Sequence, residues 1–258
     1  MRRLFYDIET SPNICFSWRT GAKIFLDHDN IIQERAIICV CYKWENDPVV
    51  RSIEWDKGDD KQLVISFNKV LEEADEIVGH NGDRFDIKWL NARNLIHGLD
   101  PVPKYKTIDT LKIAKKSLYL NSNRLDYLGK ILLGEGKIKT DFDLWKNIVL
   151  NNDTKSLNEM VEYCKQDVLL LQKVYERLAS YDTPNTHVGV LEGYPRWTCP
   201  YCGSYDVFLS KTKSTAKGIK QRQMKCKSNT CGRYYTVCDS VYKDYAMHKI
   251  QMDEEQEG

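Results

Sequence analysis

Apolar and polar positions in the first part of the chain alternate with the two-residue period of an extended backbone. Leu4-Phe5-Tyr6-Asp7-Ile8-Glu9-Thr10 opens the series, and Ile14 to Trp18, Ala36 to Trp44 and Val49 to Trp55 continue it with β-branched and aromatic residues. Short polar connectors such as Glu45-Asn46-Asp47-Pro48 predict a meander of neighbouring antiparallel strands. The period then lengthens. Leu63, Phe67, Val70, Leu71 and Ala74 recur at helical spacing, followed by a short strand at Ile77-Val78, a turn at Gly79-His80-Asn81-Gly82 and a helix from near Phe85 through Leu95. Thr107-Ile108-Asp109 predicts a brief strand feeding a helix through Leu111, Ile113 and Ala114. Two amphipathic segments, Leu125 to Leu132 and Leu144 to Val149, flank a Gly134-Glu135-Gly136 break. The longest stripe, Leu157, Met160, Val161, Cys164, Val168, Leu171, Val174 and Leu178, predicts a helix ending near Ser180. Strands first and alternating elements afterwards imply an α/β fold, a mixed sheet flanked by helices.

At 258 residues and 42% hydrophobic content, the chain can bury one large core and a small second one. We divide it into a main domain over 1–181, a linker over 182–196 that opens on Thr183-Pro184-Asn185, a cysteine-bearing module over 197–240, and a tail over 241–258. Asp253-Glu254-Glu255 predicts partial disorder in that tail. A net charge of +1 excludes a global positive field, so nucleic-acid contact has to come from local patches. No apolar run reaches membrane-spanning length, which predicts a soluble, cytoplasmic protein without a membrane partner.

Within the first strand, Asp7 and Glu9 share a face, while Tyr6 and Ile8 point into the opposite layer. Two carboxylates on a buried face repel and resist desolvation, and a divalent cation between them relieves both penalties. Most Asp-x-Glu pairs are merely solvated, so further acids have to supply the weight. Asp83 and Asp86 lie where a strand ends and a helix begins, a place where ligands bind in α/β sheets and where an acid can equally cap the helix. Tyr163 and Asp167 are four apart on one face of the longest helix, beside its apolar stripe.

FYDIET, HNGDRFDIKWL and EYCKQDVLLL, in that order, closely resemble the three exonuclease motifs of the DEDD superfamily, and most of all the proofreading exonuclease domain of family B DNA polymerases. The resemblance covers roughly residues 1–180 and implies a ribonuclease-H-like fold. Carried over, it makes Asp7, Glu9, Asp86 and Asp167 the ligands of two Mg²⁺ or Mn²⁺ ions and puts Tyr163 beside the attacking water. The position five before the last acid is Glu162 rather than histidine, which resembles the tyrosine branch. The implied activity is 3′→5′ hydrolysis of single-stranded DNA ends in replication or repair, with Asn81 and Phe85 as substrate contacts. A separate polymerase is an implied partner. An exoribonuclease or RNA processor, and a non-catalytic nucleic-acid-binding adaptor, are the other readings at this point.

The chemistry suits the residues. Phosphodiester hydrolysis needs positive charge against both the attacking and the leaving oxygen, as two divalent ions about 3.5–4 Å apart supply. All-oxygen ligands favour Mg²⁺ or Mn²⁺. A tyrosine with an ordinary pKa of about 10 is a poor base, so it orients water rather than deprotonating it.

Of nine cysteines, Cys15, Cys39, Cys41 and Cys164 sit in apolar contexts, where a thiol behaves as a small hydrophobe. Cys199, Cys202, Cys226 and Cys231 form two close pairs suited to one structural Zn²⁺ in a zinc ribbon, and Cys238 is spare. Eight lysines and arginines and no acid lie between Asp206 and Asp239. Lys213, Lys220 and Arg222 are the candidate phosphate contacts of this patch, which can also be read as a solvated hairpin.

Overall fold

The computed structural model describes residues 1–21, 23–102, 105–137 and 140–257, with side chains through 254. The chain divides into two compact units, Arg2–Tyr181 and Asp182–Gly258 together with Met1.

In the first unit, strand β1 (Arg3–Thr10) is followed by β2 (Ile14–Cys15), β3 (Ile31–Gln33), β4 (Ile37–Trp44) and β5 (Arg51–Glu54). Helix α1 (Lys61–Glu72), β6 (Glu76–Gly79), α2 (Asp86–Ile96), β7 (Lys106–Asp109) and α3 (Thr110–Ser117) then alternate. Helices α4 (Leu125–Leu133), α5 (Phe142–Asn151) and α6 (Thr154–Leu178) complete it. The sheet runs β5-β4-β1-β6-β7, with β4 antiparallel and β6 parallel to β1. This is the mixed sheet flanked by helices that the periodicity implies. The strand expected over Ile14 to Trp18 shrinks to β2, which pairs only with β3, outside the main sheet. Its aromatics explain the loss: Phe16 and Trp18 are exposed, so no layer rewards an extended pairing there.

Alternation along β1 sorts its side chains between two helical layers. The Tyr6 ring lies 5.8 Å from Phe67 of α1, whereas Phe5 lies 5.6 Å from Tyr175 of α6. Asp7 and Glu9 share the parity of Phe5 and therefore face α6. That helix starts at Asp153, whose carboxylate accepts the Ser156 N–H at 2.9 Å. Its stripe from Met160 through Leu178 is buried, each large apolar side chain contributing about 1.5–3 kcal/mol. Helices α3, α4 and α5 pack against α6 and hold it over the sheet.

In the second unit, α7 (Val188–Leu191) precedes β8 (Val207–Ser214), β9 (Lys220–Cys226) and β10 (Tyr234–Cys238), an antiparallel sheet closed by α8 (Asp239–Glu257). Two expectations are corrected here. The stretch 182–196 is not a bare linker, because α7 lies in it. Val188 N–H donates to Pro200 O at 2.9 Å, and a Cβ on Gly189 would meet Thr198 Oγ1 at 2.2 Å. The tail beyond 240 is helical rather than disordered, because Val241 and Tyr245 bury themselves with Trp197, Val207 and Met224. Tyr245 also donates its hydroxyl to Val207 O at 3.0 Å.

Candidate active site

Asp7 and Glu9 leave β1 on the face covered by α6, and Asp167 descends from that helix to meet them. One carboxylate oxygen of each lies within 4.8 Å of the others. Asp86, the first residue of α2, stands outside this trio but near enough to Asp7 for the two charges to repel. It is not the cap of α2, the cap position being Phe85 with no side-chain hydrogen bond. Gly82 makes this approach possible, since a Cβ there would lie 2.9 Å from the Tyr6 hydroxyl. Asp83 turns away to pair with Lys112.

The four acids are short of positive charge. Burial, then the charge of Asp167, pushes Asp7 up to about 7. Burial, then Asp7, pushes Glu9 up to about 9. Asp86 is driven well above the carboxylate range by burial and by Asp7, and Asp167 is raised by burial. Such shifts mark carboxylates gathered where a cation would relieve them.

Among the described residues one cation pairs with these acids, and no sequence motif marks it. Lys137 ion-pairs with Asp167 and lies 3.5 Å from the Tyr163 hydroxyl. Burial works to lower its ammonium, but Asp167 and Asp7 together hold it above its ordinary value. It sits three residues past the Gly134 that ends α4 with φ +74°, in a loop whose composition carries no motif.

Tyr163 is half-buried one turn before Asp167, and its hydroxyl acts to hold that carboxyl down. Burial, then the charge of Asp167, raises its phenol above the ordinary value, so it stays protonated at working pH and serves as a donor. Glu162 points outward to Lys165.

Asn81 adopts φ +67°, and its N–H donates to Asp109 Oδ1 at 2.9 Å, which fixes the turn beside the acids. His80 bonds Thr110 Oγ1 at 2.9 Å, and burial, then Lys137, pushes it down to about 4, so it is a neutral strut. Phe85 is 40% exposed rather than a core ring and packs against Trp89 at 6.2 Å between centroids. Cys39, Cys41 and Cys164 are buried behind Asp7, with Cys164 Sγ 3.7 Å from Asp7 Oδ2.

In the second unit, Cys199, Cys202, Cys226 and Cys231 converge. Cys199 and Cys231 Sγ are 3.7 Å apart, as are Cys202 and Cys226. Four sulfurs bound at about 2.3 Å to one tetrahedral ion are spaced at about 3.8 Å, so the set fits a metal. Lys213 and Lys220 are exposed near the turn of the β8–β9 hairpin. Arg222, the third candidate, bonds Asp239 Oδ1 at 2.7 and 2.9 Å and stacks on Tyr242, so its charge also fastens α8 to the sheet.

This fold, with its converging acids, defines a class, and the chain belongs to the RNase_H superfamily, whose family model matches residues 26–179. By sequence and structure it is similar to family B DNA polymerases in their exonuclease region. A DNA polymerase of Methanocaldococcus jannaschii is 26% identical over 156 residues, 52% of this chain but 9% of that protein. The family B DNA polymerase of Pyrobaculum calidifontis superimposes with a TM-score of 0.54 at 17% identity, over 69% of this chain and 24% of that one. The chain thus spans a small part of the length of the polymerases it matches. Among the described residues, no helix is long and apolar enough to cross a membrane.

Proposed function

We propose that the chain is a metal-dependent 3′→5′ exonuclease that removes nucleotides from single-stranded DNA ends, with Asp7, Glu9, Asp86 and Asp167 as its metal ligands. The observation that carries the reading is the oxygen trio of Asp7, Glu9 and Asp167, drawn from segments some 160 residues apart, with Asp86 against Asp7. The all-oxygen donor set and the raised carboxylate pKa values fit hard divalent ions. When bound there, Mg²⁺ or Mn²⁺ would supply the charge that activates water and stabilises the leaving 3′ oxygen.

The protein's own groups do the rest. Tyr163, protonated and one turn from Asp167, orients the attacking water by hydrogen bonding. Lys137 stands where it can offset phosphate charge. Phe85 offers its exposed ring to the terminal base. The four thiolates hold one Zn²⁺, which supplies the folding energy a unit with so small a core lacks. The exposed Lys213 and Lys220 give that unit a phosphate-binding edge. The work is proofreading or end trimming in replication or repair, alongside a separate polymerase.

Incubating 5′-labelled single-stranded DNA and RNA with the protein and Mg²⁺, with and without excess chelator, tests the reading. Metal-dependent ladders shortening from the 3′ end of DNA are expected. Ladders on RNA alone, or retention without cutting, would overturn it.

A further inference from the structure

Beside the acids, α2 and the connection between β3 and β4 enclose a groove of about 590 Å³. Phe85 and Trp89 form its apolar surface together with Ala92 and Ile96, and Arg35, Arg84 and Lys88 stand exposed along it. The Arg35 guanidinium lies over the Trp89 ring at 4.9 Å. No carboxylate among the described residues forms an ion pair with any of these three cations. The fourth cation of the lining, Arg93, differs: it is buried and bonded twice to Asp60 at 2.7 Å. Its charge is spent inside the fold, whereas the other three face outward, opposed only by Glu34 in the lining.

Rings and unpaired cations interleaved along one surface are complementary to a polymer that alternates flat bases with phosphates. A paired duplex hides its base faces, so the rings select an unpaired strand. The groove is also in register with the acids. Phe85 precedes Asp86 in sequence, and Ala36 N–H, next to Arg35, donates to Ser11 Oγ just past the end of β1. From Phe85 to Ile96 the helix runs about 16 Å, room for more than a terminal nucleotide.

We infer that this groove is a single-stranded DNA track, in which Trp89 stacks a base upstream of the scissile bond while Arg35, Arg84 and Lys88 bind the phosphates on either side. The inference rests on the exonuclease reading and extends it, because it assigns residues that hold the strand away from the reacting end. It makes the protein prefer substrates long enough to reach Trp89.

The test uses the full chain without added Mg²⁺ and a fluorescein-labelled oligothymidylate about a dozen nucleotides long, read by fluorescence anisotropy across a salt series. Trp89→Ala is expected to weaken binding about tenfold. Lys88→Glu and Arg35→Glu, both at exposed positions, are each expected to reduce the slope of log affinity against log salt by about 0.7 or more. With Mg²⁺ restored, the same variants should show a raised KM on the oligonucleotide. Their rate on it relative to thymidine 5′-(p-nitrophenyl phosphate), which reaches only the acids, should fall about tenfold. Wild-type affinity, salt slope and KM in all three variants would overturn the track while leaving the nuclease reading intact. Groove-dependent binding by a wild-type protein that cuts neither substrate would sink the nuclease reading and leave the track standing.

Discussion

The two units gather like donors in opposite ways. The acids come from β1, α2 and α6, elements packed into one large core of aromatic and aliphatic side chains, and burial with mutual repulsion raises Asp7 and Glu9 above the ordinary carboxylate range. The thiols come from the turn at Cys199 and Cys202, the end of β9 and the loop after it, in a unit whose buried core among the described residues is nine residues, and a metal ion held there would add to that core. A large core can hold like charges together against their own repulsion. Where the core is small, donors that bind an ion can do the holding instead.

Five experiments test that contrast. Stripping metal with a strong chelator should unfold the second unit, a loss on the order of 10 kcal/mol, while 2–181 survives as a protease-resistant fragment. A second unit that stays folded without metal would erase the distinction. Next in size, Asp7→Ala should lower the cleavage rate about a thousandfold, with no fall in melting temperature, because it removes a strained charge. Cys226→Ala should do the reverse, unfolding its unit and sparing the cluster of acids.

Tyr163→Phe should cost about tenfold in turnover while Mn²⁺ affinity, followed by titration calorimetry, is kept. Loss of metal binding in that variant would make the tyrosine a structural prop of Asp167. The smallest effect is on pH. Asp7 and Glu9 hold their protons more tightly folded than their ordinary values of 3.8 and 4.5, so their contribution favours the fold below about pH 4. It is lost as pH climbs through about 7 and about 9. Without divalent ions the melting temperature of the first unit should therefore drift down by a few degrees across that range, and Mg²⁺ or Mn²⁺ should flatten the drift. A melting temperature that rises with pH would contradict the burial of both groups.

Much of the fold was legible because burial writes itself into periodicity. The alternation of Leu4 to Thr10 revealed the strand and its two faces, and the stripe from Leu157 to Leu178 revealed the longest helix. What stayed hidden has physical reasons. Lys137 lies in a loop, where no period constrains it and where a lysine is ordinarily solvated. Asp86 taken alone reads as a cap, and only the motif resemblance made it a ligand, because its burial comes from tertiary packing that no local pattern encodes. The helix α8 was masked by its acids, although Val241 and Tyr245, four apart, already carried its packing face. Arg222 counted as one more surface charge until the fold placed Asp239 beside it.

The lysine held against Asp167 gives the first unit one more property. Divalent ions at this site would meet not an empty anionic hole but a tethered ammonium that already answers Asp167. Loading would then be an exchange of charge carriers, and the lysine by itself already offsets part of the acids' repulsion.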